Sequence, residues 1–210
     1  MRKNLKSYSS IFFDFDGVIK DSVEIKSIAF GQLFIEFGGD VYKRVRTHHE
    51  KNGGMSRFEK LPLYLRWAEQ KPSLQLIDEY AIKFSQLVKK KVVDSAWVDG
   101  VFDYLKDNYN VQQFFLVTAT PQKEIEEILY QLKIIDYFKQ IIGSPTTKSE
   151  AIMRLSSRHK INPDKAVMIG DSQSDYKAAL DNNINFILRK TELNTKLQHE
   201  LNCIMIDNFL

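Results

Sequence analysis

Apolar positions along the chain fall into two rhythms. Residues 10–15, Ser-Ile-Phe-Phe-Asp-Phe, form a short apolar run that stops at Asp16-Gly17, a turn signal. A strand buried on both faces of a parallel sheet reads this way. From about Asp21 to Asp94 the rhythm changes. Ile25, Ile28, Ala29, Leu33 and Phe37 recur at helical spacing, and Gly38-Gly39 ends that helix. Further helical patterns run from Arg57 to Gln70 and from Leu74 to Val93, with no convincing strand among these roughly 70 residues.

After Asp99-Gly100, strands and helices alternate. Phe114 to Thr118 reads as an apolar strand. Thr120-Pro121 reads as an N-cap followed by proline at the first helical position, and Ile125, Ile128, Leu129 and Leu132 form one stripe behind it. Gln140 to Ile142 is a short strand, followed by a helix from about Ser149 to Arg158. Ala166 to Ile169 is a strand leading through Gly170-Asp171 to a helix at about Asp175 to Leu180. Asn185 to Leu188 and Ile204 to Ile206 complete the set. This alternation predicts an α/β fold with a doubly wound parallel sheet. The expected organisation is a core of residues 1–20 and 96–210, with residues 21–95 inserted as an α-helical cap.

Composition narrows the field. The chain has 210 residues, 43% hydrophobic and 27% charged, which suits one globular core with a modest insertion. Net charge is +3 with the cations spread along the chain, which argues against a nucleic-acid partner. The densest run, Lys89-Lys90-Lys91, ends a helical pattern and is expected to face water. One cysteine, Cys203, excludes an intrachain disulfide and fits a reducing compartment. No apolar run is long enough for a signal peptide behind Met1–Ser10 or for a membrane span, so a cytoplasmic monomer or homodimer without a membrane partner is expected.

The chemistry-bearing residues follow predicted strand ends. Asp14 and Asp16 follow the first strand, Thr118 lies on the second, Lys148 comes after the third, and Asp171 and Asp175 follow the fourth. In open α/β sheets ligands bind at those ends, so the six should converge on one crevice. Four carboxyl groups packed together repel, and a hard divalent cation is the usual remedy. Oxygen-only ligands without His or Cys favour Mg²⁺. With Lys148, the Thr118 hydroxyl and helix N-termini near Pro121 and Ser172, the set describes phosphoryl transfer.

Asp14-Phe15-Asp16-Gly17-Val18 with Asp21-Ser22, then Leu116-Val117-Thr118, then Lys148, then Gly170-Asp171-Ser172 with Asp175, resembles the four motifs of the haloacid dehalogenase superfamily. The likeness covers roughly residues 8–20 and 97–210. It is nearest to members with a helical cap after the first motif, such as phosphoglycolate phosphatase and β-phosphoglucomutase. The resemblance implies a Rossmann-like core and a magnesium-dependent phosphatase acting on a small phosphorylated metabolite, a sugar phosphate first among them. It implies Asp14 as the nucleophile that forms an aspartyl-phosphate, and Asp16 as general acid and base. It assigns Mg²⁺ to Asp14, Asp171 and the backbone carbonyl of Asp16. It gives phosphoryl binding to Thr118 and the N–H of Ala119, charge neutralisation to Lys148, and an outer supporting role to Asp175.

Each residue also has a plainer reading. Asp16-Gly17 alone is a turn, Thr118 alone a strand residue, and Asp171 alone an N-cap. In the insertion, His48-His49 are expected on an exposed surface. Asn52-Gly53-Gly54-Met55-Ser56-Arg57 reads as a connection whose Ser56 caps the next helix, or as a substrate loop with Arg57 toward a polar or anionic part of the substrate. A β-phosphoglucomutase-like mutase is the alternative function. Dehalogenation is disfavoured because halide departure needs no proton from Asp16, and a signalling receiver or a non-catalytic binding protein fits the long insertion and the intact motif set less well.

Overall fold

The computed structural model describes residues 5–210, so the first four residues of the polar N-terminal stretch lie outside the described residues. Six strands form one parallel sheet. They are β1 (Ser10–Phe13), β2 (Gln113–Pro121), β3 (Gln140–Ser144), β4 (Ala166–Gly170), β5 (Asn185–Arg189) and β6 (Ile204–Ile206), in the order β3-β2-β1-β4-β5-β6. β1 lies at the centre, with Phe13 beside Leu116 of β2 and Ile169 of β4. The direction of winding reverses there, because β2 and β3 lie on one side of β1 while β4 to β6 lie on the other. That reversal opens a crevice at the carboxyl end of β1 and β4.

The sheet is covered on both faces, and residue parity along β1 decides which side chain meets which layer. Ile11 and Phe13 join Val101, Tyr104, Leu105, Ile125, Ile128 and Leu129, so α5 (Val101–Asn108) and α6 (Gln122–Gln131) pack on that face. Phe12 joins Ala151, Ile152, Leu155, Ala178 and Ala179 on the other face, under α7 (Lys148–His159) and α8 (Gln173–Asp181). A short α9 (Thr195–Glu200) precedes β6. The doubly wound α/β expectation therefore stands. Among the described residues no helix is long and apolar enough to cross a membrane.

Between β1 and α5 the chain makes four helices: α1 (Val23–Leu33), α2 (Gly39–Lys51), α3 (Arg57–Trp67) and α4 (Leu74–Asp94). Ser56 caps α3 by accepting from Glu59 N, while the Glu59 carboxylate accepts from Ser56 N at 3.0 Å. This is a capping box, and it fixes where α3 begins after the two glycines. The four helices share a core of Phe30, Phe34, Tyr64, Leu65, Tyr80 and Phe84. The Phe30 and Phe84 rings stack at 3.8 Å.

Three local expectations are corrected. The buried face of α1 is Lys26, Ala29, Phe30 and Leu33, with Ile25 and Ile28 only half-buried. The helix is rotated toward a polar partner for Lys26 described below. Second, β2 runs on to Pro121, which is the N-cap of α6 and not its first residue, and Thr120 turns inward. Third, His49 is buried against the Phe30 ring rather than exposed, because α2 packs along α1 with that face inward.

Phe13 is fully buried, with the Phe114 ring edge-on at 5.2 Å and Phe209 at 6.2 Å. Phe13→Ala should lower the unfolding free energy in urea by about 3–5 kcal/mol, as aromatic-to-alanine changes in cores do. A loss under about 1 kcal/mol would mean that β1 is not the centre of the core.

Candidate active site

The carboxyl ends of β1 and β4 bring Asp14, Asp16, Asp171 and Asp175 together, and the two sides of the crevice are bridged by one lysine. Lys148 stands at the first position of α7, after the N-cap Thr147, and its side chain is buried. Its Nζ donates to Asp14 Oδ2 at 2.6 Å and to Asp175 Oδ1 at 2.6 Å. The other oxygen of Asp14 accepts from Phe15 N at 2.7 Å. The other oxygen of Asp175 accepts from Ser172 N at 3.1 Å and Ser172 Oγ at 2.6 Å. Both oxygens of Asp175 are thus committed within the protein.

Asp14 sits among charges of both signs. Burial pushes its carboxyl up, Lys148 pulls it back, and Asp175 and Asp16 push it up again, to about 7. Asp171 is held well above the usual carboxylate range, by burial first and then by the charges of Asp14 and Asp175. Lys148 keeps its proton firmly, since Asp14 and Asp175 outweigh its burial. Oxygen atoms of Asp14, Asp171 and Asp175 lie within 4.8 Å of one another, an acidic triad of the kind that takes a hard cation. Gly17 is required at the turn beside it. Its φ is +75°, and a Cβ there would collide with the Asp171 carboxylate.

Asp16 is held differently. Its Oδ1 accepts from Ser22 Oγ at 2.6 Å, and its Oδ2 from Lys26 Nζ at 2.5 Å and Thr120 Oγ1 at 3.3 Å. Lys26 Nζ also donates to Thr120 Oγ1 at 2.8 Å. Burial alone would raise Asp16, but Lys26 and the hydrogen bonds from Lys26 and Ser22 hold it below its usual value. The two aspartates of one turn are therefore driven in opposite directions. Thr118 is buried at the inner end, and its Oγ1 accepts from Thr120 N at 3.2 Å.

These groups open into a cavity of about 790 Å³ between the sheet edge and the helical insertion, lined by Asp14, Asp16, Thr118, Ala119 and Asp171 below. His49, Gly54, Arg57, Lys60, Phe30 and Phe84 line it above. The insertion lies close against the core, since a Cβ on Gly54 would strike Ser174 and Ser172. Arg57 lines the cavity but is already engaged. Its guanidinium makes a two-pronged pair with Glu124 of α6, at 2.9 and 2.5 Å, and donates to Ser85 Oγ at 2.5 Å. Ser85 in turn donates to Glu124. Arg57 thus ties the insertion to the core.

The comparisons with known proteins bear on the family and the fold. The haloacid dehalogenase-like hydrolase model matches residues 11–189. The chain belongs to the haloacid dehalogenase-like hydrolase family. Among family members, the phosphorylated carbohydrates phosphatase of Thermotoga maritima is 26% identical over 184 residues, covering 81% of this chain and 79% of that protein. A phosphoglycolate phosphatase of Vibrio vulnificus is 38% identical over 69 residues, 30% of either chain. The β-phosphoglucomutase structure from Clostridium difficile superposes with a TM-score of 0.75 at 20% identity, over 96% of this chain and 92% of that one.

Sequence reasoning singled out Asp14, Asp16, Thr118, Lys148, Asp171 and Asp175, and the fold brings all six to one crevice. It missed Lys26, Ser22, Thr120, His49, Lys60 and Glu124. A signal existed for two of them. Lys26 and Lys60 each occupy a position of a helical apolar stripe, beside Ala29 and Phe30 in α1 and beside Leu61 and Tyr64 in α3. A cation at such a position needs a partner inside.

The raised values of Asp14 and Asp171 have a stability consequence. In the unfolded chain both ionise near 3.8, whereas folded Asp14 holds its proton to about 7. A raised folded-state value stabilises the fold below the unfolded value, and that contribution is lost as pH rises through the folded value. Chelator-treated protein should therefore lose melting temperature between pH 4 and pH 7 more steeply than Asp14→Asn. Parallel curves for the two proteins would contradict the assignment.

Proposed function

We propose that this haloacid dehalogenase-like hydrolase is a magnesium-dependent phosphomonoesterase acting on a small phosphorylated metabolite, a sugar phosphate first among them. The observation that carries the reading is Asp14. It is buried at the switch point, held by Lys148, and set beside a second aspartate of separate electrostatic character. In this reading residues 21–95 act as a cap over a core of residues 1–20 and 96–210.

The donor set fits a hard dication. Asp14 and Asp171 are crowded carboxyl groups raised by burial first and by their neighbours' negative charges after it, both of which a bound cation would offset, and every candidate ligand is oxygen. Asp14, Asp171 and the carbonyl of Asp16 would hold Mg²⁺. Asp175 is reserved for an outer role, because it is fully buried and, unlike Asp14 and Asp171, does not line the cavity. When bound, the cation supplies positive charge for the phosphoryl oxygens and keeps both carboxylates ionised.

The steps fall to the protein's own groups. An Asp14 oxygen attacks phosphorus, and the bond from phosphorus to the ester oxygen breaks. Asp16 gives that oxygen its proton. Water then attacks the aspartyl-phosphate, Asp16 takes the water proton, and phosphate leaves with Asp14 regenerated. Thr118 Oγ1 and the Ala119 N–H bind the phosphoryl group, and Lys148 offsets its charge. In the present arrangement Lys26 holds Asp16 as the carboxylate, the form that accepts a proton. Its acid form requires Lys26 to move off, which displacement of α1 by an entering substrate would bring about.

Two features support a small substrate. The cavity is roofed by the four helices, which shuts out macromolecules. Its volume of about 790 Å³ suits a phosphorylated sugar, and the Thermotoga relative is named for phosphorylated carbohydrates.

Phosphate release from a panel of sugar phosphates, phosphoglycolate, nucleotides and sugar bisphosphates tests the proposal. Wild type should release phosphate only with Mg²⁺, and Asp14→Asn should lose at least about 10³-fold in kcat, because it lacks the nucleophile. Normal turnover by Asp14→Asn, or activity that survives full chelation, would refute the mechanism. An isomerised sugar phosphate without free phosphate would assign the mutase instead.

Asp16→Asn should slow esters with poor leaving groups most, since those need protonation. The loss should be roughly 10²–10⁴-fold for an alkyl phosphate and much less for p-nitrophenyl phosphate. Equal slowing across leaving groups would remove Asp16 from the proton-transfer role.

A further inference from the structure

Four buried cationic side chains stand around the cavity, and three are matched to carboxylates. Lys26 pairs with Asp16 at 2.5 Å, Arg57 with Glu124 at 2.5 Å, and Lys148 with Asp14 and Asp175 at 2.6 Å. The fourth is Lys60 of α3, with 1% of its surface exposed. Among the described residues no carboxylate lies within 4.0 Å of its Nζ. The Nζ meets only His49 Nδ1, at 2.8 Å, and stands over the Phe30 ring at 5.7 Å. An imidazole nitrogen orients an ammonium group but does not neutralise it.

Two carboxylates of the outer cavity wall are already engaged elsewhere. Glu50 accepts from Arg46 at 2.8 Å, and Glu200 lies 3.5 Å from Lys196. Among the described residues none supplies a carboxylate in contact with Lys60. Burial and the charge of Lys26 hold the Lys60 amine well below its usual range, with Asp16 and Glu59 pulling weakly the other way. A buried, unmatched amine of this kind is costly, and leucine or methionine would continue the stripe of Leu61, Tyr64 and Leu65 without that cost.

The position of Lys60 tells which part of a substrate would meet it. The phosphoryl group is assigned to Asp14, Thr118 and Lys148 at the sheet edge, and the leaving oxygen to Asp16. Lys60 lines the cavity from the helical insertion and feels the charges of Lys26 and Asp16 more than that of Lys148. It therefore faces the leaving-group side. The inner end of the cavity is closed over Asp14, which is 4% exposed, as it is over Lys60, so movement of the insertion off the core would admit substrate to both.

We propose that Lys60, oriented by His49, binds an anionic oxygen group carried on the leaving alcohol of the substrate, a carboxylate or a second phosphate. This rests on the phosphomonoesterase reading and narrows it to esters of acidic alcohols. The anion replaces the missing carboxylate partner, and a charge-assisted hydrogen bond from the ammonium fixes the alcohol over Asp16.

The test compares matched esters with the full-length protein and Mg²⁺. Glucose 6-phosphate against 6-phosphogluconate reads a carboxylate, and fructose 6-phosphate against fructose 1,6-bisphosphate reads a second phosphate. Wild type should favour the anionic member of at least one pair in kcat/KM, and which pair responds identifies the anion. Lys60→Met should shrink that preference roughly 10- to 100-fold, the effect of losing a hydrogen bond to a charged group. Lys60→Arg should retain most of it. A merely structural role would lower both members of a pair alike. Should Lys60→Met fail to fold, Lys60→Gln, which keeps a donor for His49 without the charge, reads the same ratio. An unchanged ratio in a folded, uncharged variant overturns the proposal, and so does wild type that shows no preference in either pair. If wild type releases no phosphate from any ester, the phosphomonoesterase reading itself fails.

Discussion

Four carboxyl groups meet at the end of one parallel sheet, and their mutual repulsion is the constraint that the surrounding structure answers. Without compensation they would push β1 and β4 apart or stay protonated. Lys148 supplies the main compensation, joining Asp14 after β1 to Asp175 in the first turn of α8. The link is possible because α7 begins at the crevice, with Thr147 capping it and Lys148 at its first position. A lysine one turn later in α7 would point into the layer of Ala151, Ile152 and Leu155. The bridge therefore depends on where a helix starts, and the helix start depends on a threonine cap.

The rest of the compensation comes from the insertion. Lys26 reaches back from α1 to Asp16, and its ammonium holds that carboxyl low while burial raises Asp14. Arg57 of α3 makes the corresponding link on the other side, with Glu124 at the start of α6. Both contacts join insertion to core through buried charges, and each leaves a buried ion unpaired if the insertion lifts away. Water entering the opened cavity, or an anionic substrate, must then take over the pairing. Any movement of these helices would therefore change the charge balance of the crevice, as expected where buried ion pairs span two parts of a chain.

The core was legible in the sequence because its signals are local. Apolar runs such as Ile11-Phe12-Phe13 and Val167-Met168-Ile169 mark buried strands, and acidic residues directly after them mark the sheet's carboxyl edge. The insertion was less legible because its decisive pairs join residues distant in the chain. Lys26 finds Thr120, Lys60 finds His49 and Arg57 finds Glu124, contacts that no helical periodicity encodes. The α1 stripe was misread for that reason. Ile25 and Ile28 are only half-buried because the inward face of α1 carries Lys26, which reaches Asp16, together with Ala29, Phe30 and Leu33.

This division of labour also locates specificity. Three groups at the sheet edge are satisfied within the protein: Lys148 by two aspartates, Asp175 by Lys148 and Ser172, and Asp16 by Ser22 and Lys26. Such a self-contained set responds to a phosphoryl group whatever alcohol it carries. Discrimination among alcohols needs a group whose pairing is incomplete until the right partner arrives, because only that group gains more from one substrate than from another. Among the buried cations around the cavity, Lys60 alone meets that condition, and it stands on the insertion. On the proposed role of Lys60, changes in α2 and α3, where His49 and Lys60 reside, would retune which ester is accepted while the core stayed a general phosphoryl site.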